Sequence, residues 1–321
     1  MSGAYLYRRL INEGIKDIDI FDVKKTNPCG CRPCAWGFAS ASESRKMIEK
    51  VADPDKFQMY RSDIMSFDGI KTHGDVITVD KPALIRELVA GADIKEGAVD
   101  PSKYDRVIDA TGVSRAYLPP IKDDVIATCV QYRVKSEEPL GLWFKISQVG
   151  YEWCFPLNNN EYHVGFGDLK SGADSYKPDL KKDDKDLTVK YVCKCRSSVR
   201  LTSPYHAQPL IMNDKIVGIG ESIGAVSPLV SDGNIYAMKT AEMLVENWDD
   251  LNKYSASVLK EYDWMRKERS GLEKLRAGKL PTLSEVLTMK RHCKNGGVDL
   301  NISQLIKLFK HMTNLRSETA K

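Results

Sequence analysis

Tyr151, Trp153 and Phe155 alternate along the chain ahead of Pro156, and eight residues later come Gly165 and Gly167. Side chains of a strand repeat every second residue, so the three rings share one face. Two glycines on a nearby strand remove the side chains opposite them. An aromatic wall over a glycine floor suits a long hydrocarbon, although a plain aromatic core would use the same residues. A second group is Gly220-Glu221, Gly224, Pro228 and Gly233, which follows an apolar run at 216–219. There a strand delivers a carboxylate able to accept hydrogen bonds from ribose-type hydroxyls. The helix that begins at 233 turns free N–H groups toward a negative ligand. An ordinary strand-to-helix turn is the alternative. Cys29, Cys31 and Cys34, with Cys193 and Cys195, have the close spacing of metal or iron–sulfur ligands. No histidine stands beside them at ligand spacing and no zinc pattern is complete, so no metal is expected. Cys34, followed by Ala35-Trp36-Gly37, also reads as a thiol in a loop against a cofactor ring, or as an inert thiol.

The elements around these residues alternate between two textures. Residues 4–13 place Leu6, Leu10 and Ile11 on one helical side, and Gly14 can end that helix. Residues 18–23 suit a short buried strand, 42–51 and 84–90 helices, and 105–110 a strand entering the Thr111-Gly112 turn. From 125 to 166 short alternating segments predict an antiparallel sheet. Residues 181–186 read as a charged hinge or exposed loop. The α/β texture returns at 215–220, ahead of a long helix over 233–248. The last seventy residues read as helical, with breaks at Gly278, Pro281 and 295–297. The order of elements predicts a mixed α/β fold, in which a discontinuous dinucleotide-binding domain (1–120 and 206–250) carries an inserted antiparallel-sheet domain (121–205) and a helical C-terminal region (251–321).

A chain of 321 residues with 42% hydrophobic and 29% charged residues is ordinary for a globular protein, and a net charge of +4 is too small to argue for nucleic acid. Residues 253–321 hold 15 Lys/Arg against 7 Asp/Glu, a local +8. That imbalance fits an anionic membrane surface or an acidic ligand as readily as a solvated helical surface. No apolar run is long enough to span a bilayer and no secretory signal precedes the first helix. A cytoplasmic chain, at most peripheral at a membrane, is expected.

The run Tyr-x-Trp-x-Phe-Pro, eight residues, Gly-x-Gly resembles the substrate-side motif of geranylgeranyl reductases, flavoproteins of the para-hydroxybenzoate hydroxylase-like superfamily. The resemblance extends over most of residues 3–248. Gly3-Ala4 is similar to the glycine and following residue of the family's FAD loop, and Asp22 to its ribose acid. Cys34-Ala35-x-Gly37 resembles the Cys-x-x-Gly flavin loop. Asp109-Ala110-Thr111-Gly112 resembles the second conserved stretch, and Gly220-Glu221, Gly224, Pro228 and Gly233-Asn234 the last flavin motif. Lys81 stands where an arginine usually approaches the flavin nucleotide, and Ala98 is a further cofactor position. Three departures stand out: Glu221 replaces an aspartate, Lys81 lacks the planar fork of arginine, and Asn234 replaces an aliphatic residue.

The resemblance implies an FAD-dependent reductase that saturates prenyl double bonds, with Tyr151, Trp153, Phe155, Pro156, Gly165 and Gly167 on the substrate and Cys34 near the reacting carbon. The expected partners are a prenyl lipid, such as an isoprenoid ether lipid precursor, and an electron donor, NAD(P)H or ferredoxin. A flavin hydroxylase or halogenase, or a non-catalytic paralogue, are the alternatives. The first strand and first two glycines of a dinucleotide fingerprint would lie before Met1. About 10–12 upstream residues are expected to supply them, and the chain without them is expected to bind FAD weakly.

Overall fold

The computed structural model describes residues 1–23, 36–146, 150–169, 172–182, 185–295 and 298–319. The chain opens with α1 (Ser2–Asn12), which buries Tyr5, Leu6 and Leu10 at the expected helical spacing. Then come β1 (Ile20–Asp22), β2 (Gly37–Ala39) and α2 (Ala41–Glu49). A long hairpin, β3 (Gln58–Phe67) and β4 (Ile70–Val79), turns through Asp68 and Gly69, both at positive φ (50° and 77°). Next follow α3 (Lys81–Leu88), β5 (Ile94–Glu96) and β6 (Val107–Asp109). The predicted antiparallel region supplies β7 (Ile126–Ser136), β8 (Trp143–Ile146), β9 (Gly150–Pro156) and β10 (Glu161–Asp168). The segment read as a charged hinge holds a short antiparallel pair, β11 (Lys181–Lys182) with β12 (Lys185–Asp186), and β13 (Val189–Arg200) follows. The α/β texture resumes with β14 (Ile211–Met212), β15 (Ile216–Gly218) and α4 (Asn234–Glu246). Four helices close the chain with α4: α5 (Leu251–Glu261), α6 (Asp263–Arg276), α7 (Leu283–Asn295) and α8 (Ile302–Thr319).

The dominant sheet has eight strands in the order β13-β7-β10-β9-β8-β3-β4-β2, antiparallel throughout except where β3 runs parallel to β8. The antiparallel sheet therefore reaches beyond 121–205 and takes in 37–79, a stretch the sequence reading left with the dinucleotide part. Parallel pairing is confined to two small pieces. β1 pairs with β5, and β6 pairs with β15, which carries β14 on its far side. Among the described residues no strand joins β1 to β6.

Of the four apolar clusters among the described residues, two position the site. In the first, α1, α4 and α5 cover β6 and β15, with Tyr5, Met238, Leu244 and Tyr254 fully buried. A buried polar knot ties it: the Tyr5 hydroxyl donates to Glu242 at 2.7 Å, and Glu242 also pairs with Arg9 and Lys50. In the second, α6, α7 and α8 pack Leu272, Met289, Leu305 and Phe309 against the face that carries Trp153 and Phe155. α8 is thus anchored by part of its apolar face, while Ile302 and Ile306 remain 54% and 47% exposed.

Candidate active site

A single cavity of about 870 Å³ lies where the aromatic face of the large sheet meets the loops after β6 and β15 and the start of α4. Its first wall is a set of loops held by buried polar groups. Asp109, fully buried, builds the turn after β6 and does not reach the cavity. Its carboxylate accepts from Thr111 N (3.0 Å), the Thr111 hydroxyl (2.6 Å) and Tyr117 N (2.9 Å). That turn presents Ala110, Thr111 and Gly112 to the cavity, with Gly112 at φ 67°. Arg200, 3% exposed, clamps it to the opposite loop by donating to Gly112 O (3.1 Å), Val113 O (2.8 Å), Glu221 O (3.1 Å) and Asp124. The Glu221 carboxylate lines the cavity and accepts from Arg200 N at 2.8 Å. Burial pushes its carboxyl above the usual range, against the pull of Arg200. Gly220 and Gly224 serve the loop itself. Both have positive φ, and a side chain at Gly224 would meet the Ser203 backbone.

Three residues singled out separately in the sequence meet at the start of α4. Lys81 Nζ donates to Asn234 Oδ1 at 2.6 Å, and Asn234 Nδ2 donates to Gly37 O at 2.9 Å. With Pro228 and Gly233 they line the cavity. Asp232, which the sequence reading passed over, lies beside them. Its carboxylate accepts from Asn234 N (3.0 Å) and Ala39 N (3.3 Å), and burial pushes its pKa up to about 6. An acid just ahead of a helix and after Pro228 was the available sign.

The second wall is aromatic. β9 sets Tyr151, Trp153 and Phe155 opposite Gly167, Gly165 and His163 of β10. The glycines do not leave an open floor, as the spacing suggested. A Cβ on Gly165 would lie 2.3 Å from the Trp153 ring, and one on Gly37 2.2 Å from the Phe155 ring. The rings themselves fill that space, packed close on bare backbone, and both still border the cavity with Phe144, Phe67 and Gly167. The Tyr151 hydroxyl donates to Val230 O (3.1 Å) and so joins the two walls. Pro156 lies past the cavity, its carbonyl accepting from Thr78 at 2.8 Å. Cys129 also lines the cavity, with its thiol pushed up to about 12 by burial.

α6 forms the roof, a contribution the sequence reading did not foresee. Glu268, 1% exposed, accepts from the Ser227 hydroxyl (2.8 Å) and Leu229 N (3.1 Å) and so fixes the loop that carries Pro228. Burial raises its pKa to about 7. Leu272 and Arg276 of the same helix line the cavity.

Several predicted positions stand elsewhere. Gly3 packs α1 against Ala110, where a Cβ would lie 3.1 Å away, and Ala4 packs on the first core. Asp22 ends β1 beside Glu96, and Ala98 is exposed; none of the four borders the cavity. Gly165 acts only through Trp153. Cys29, Cys31, Cys34 and Ala35 lie outside the described residues. Cys193 and Cys195 sit on β13 opposite Arg133 and Gln131, and among the described residues no group of His, Cys, Asp and Glu could hold a metal ion.

No known family profile matches the chain. A protein of Methanocaldococcus jannaschii described as uncharacterized, MJ1182, is 27% identical over 291 residues, which span 83% of this chain and 74% of that one. Among solved structures, a geranylgeranyl bacteriochlorophyll reductase-like protein from Thermoplasma acidophilum superposes with a TM-score of 0.69 at 14% identity, over 98% of this chain and 96% of that chain. The flavin-dependent halogenase CmlS gives 0.59 at 14% identity, over 98% and 69%. The chain therefore has the mixed α/β fold of FAD-dependent oxidoreductases and halogenases.

The residues present fit such a cofactor. Met1 and Ser2 at the start of α1, and Gly233 and Asn234 at the start of α4, bring two helix N-termini to the one cavity, alongside Lys81 and the Thr111-Gly112 turn. Helix N-termini offer free N–H groups to phosphate or to an anionic ring.

Proposed function

We propose that the chain is an FAD-dependent reductase that saturates the double bonds of a prenyl chain, such as those of an isoprenoid ether lipid precursor. The observation that carries this reading is the continuity of the cavity: one space runs from the α4 N-terminus to the wall of Phe144, Trp153 and Phe155. FAD, when bound, supplies the hydride. The protein's part is placement and dryness. An isolated alkene offers no carbonyl to polarise, so positive charge that develops on carbon is met by ring faces. Trp153 and Phe155 are rigidly seated on glycine backbone and hold the chain in register. Lys81 and Asn234 fix the start of α4, and the Asp232 carboxyl can hold a proton inside the cavity as the pH falls toward about 6. Cys34 remains the thiol proposed near the reacting carbon. Electrons come from NAD(P)H or a ferredoxin.

Anaerobic incubation with reduced viologen and a geranylgeranyl substrate tests this reading. Uptake of two hydrogens per double bond is expected, read by mass spectrometry. Turnover only with oxygen, consumed in step with substrate, would instead mark a hydroxylase or halogenase. Trp153→Ala is expected to lower prenyl turnover more than it lowers flavin content.

A further inference from the structure

α6 turns one stripe toward the cavity, with Glu268, Leu272 and Arg276 recurring every fourth residue. Glu268 is consumed by the Ser227–Leu229 loop, and Leu272 extends the apolar wall. Arg276 lies about 12 Å further along the helix axis than Glu268. It is half-buried and borders the cavity, yet among the described residues it makes no hydrogen bond or ion pair. The nearby carboxylate of Glu273 is held by Arg269 at 2.7 Å. Of the other cavity charges, Lys81 has Asn234, Glu221 has Arg200 N, Asp168 has Gly172 N, Asp232 has Ala39 N and Asn234 N, and Arg196 is solvent-exposed with a contact of its own. Burial lowers the Arg276 guanidinium below the ordinary arginine range; Glu273 opposes the shift and Arg269 adds to it.

A desolvated guanidinium has five donors and no acceptor of its own, and an apolar wall offers it none. We infer that Arg276 is the anchor for an anionic group, phosphate or carboxylate, at one end of a ligand whose apolar chain lies along Phe144 and Trp153. The planar fork of arginine suits either oxyanion. This assignment rests on the prenyl reading of the cavity and adds to it which end of the ligand is charged and which side chain selects it.

Binding to the full chain, followed by quenching of tryptophan fluorescence, separates the two claims. The probes are geranylgeraniol, its monophosphate and the corresponding carboxylic acid. The parent chain is expected to hold at least one anion about 10- to 100-fold more tightly than the alcohol, the worth of a hydrogen bond to a charged group. The stronger anion identifies the source of the charge. Arg276→Gln is expected to shrink that preference to about twofold with the alcohol affinity kept, and Arg276→Lys to retain part of it. Equal affinities for alcohol and both anions in the parent, or an undiminished preference in Arg276→Gln, would overturn the anchor alone. Failure of all three probes to bind would overturn the prenyl reading and the anchor together.

Discussion

The two walls of the cavity are built by opposite means. The loops after β6 and β15 are held by buried charge: Arg200 bridges four groups from two loops, Asp109 satisfies three donors, and Glu268 pins the far part of the second loop from α6. The aromatic wall is held by shape, with Trp153 on Gly165 and Phe155 on Gly37. Charge networks fix loops whose backbone must meet a polar ligand, because the carbonyls and amides they engage are held in place by definite partners. Ring-on-backbone packing fixes a surface that must stay apolar. The first wall should respond to charge and pH, the second to volume.

The sharpest way to break the first wall is Arg200→Ala. It removes the guanidinium from three carbonyls and from Asp124, which keeps only the Thr202 hydroxyl and the Val125 amide. A loss of about 3–5 kcal/mol is expected, as for removal of one partner of a buried pair. Urea unfolding would measure it. Loss of flavin should accompany it, since Gly112 and Glu221 lose their shared clamp. A change below about 1 kcal/mol would show that the loops hold without the network.

Glu268 tests the same wall through pH. Its pKa rises from an ordinary 4.5 to about 7 because burial disfavours the carboxylate. The folded state therefore keeps a proton that the unfolded state has given up. The contribution to stability is complete below pH 4.5 and is lost as pH climbs through about 7, a difference of roughly 3 kcal/mol. Glu268→Gln keeps an acceptor for Ser227 and Leu229 N without the charge. It is expected to melt higher than the parent at pH 8, with the gap closing toward pH 5. A gap that does not depend on pH would remove the buried-acid account.

These networks explain what was legible in the sequence. α1, α4 and the antiparallel run from β7 to β10 were readable because their apolar periods are unbroken and local. The Lys81, Gly37 and Asn234 positions came from the family resemblance, and the structure joins them across 153 and 197 residues of chain. Arg200, Glu268 and Arg276 gave no sign, since nothing near them in the chain marks their partners. The β3–β4 hairpin is a different failure. Its Asp68-Gly69 pair is a strong turn signal, but register shifts at Gln58/Tyr60 and Ser62/Ile64 break the alternation. Arg61 and Asp63 add charge to the strand, and the sequence reading assigned no element between 51 and 84.

On the aromatic wall the expected effects are smaller and steric. Gly165→Ala drives a methyl group into the Trp153 ring and to within 2.7 Å of Val130 O. A loss of about 1–3 kcal/mol is expected from overpacking. Trp153→Phe should recover part of it, so that the double variant is less damaged than the sum of the singles. Strict additivity in thermal melts would mean that ring and glycine are not coupled as their geometry requires.

The smallest effect on stability is expected on α8, where the comparison turns outward. Leu305 and Phe309 are buried at 0% and 6% exposure, whereas Ile302 and Ile306 on the same helix stand 54% and 47% exposed. Among the described residues no helix is long and apolar enough to cross a membrane. Two exposed isoleucines one turn apart, on a segment with Lys307 and Lys310, can enter an anionic lipid surface from one face of the helix. Replacing both by serine trims side chains that are about half exposed, and stability should change by no more than about 1 kcal/mol. Co-sedimentation with vesicles rich in anionic lipid should fall, and turnover of a lipid-embedded substrate with it, while turnover of a detergent-dispersed one is kept. Unchanged vesicle binding would mean that the exposed side of α8 has no part in reaching the substrate, and that the basic C-terminal region is a solvated surface.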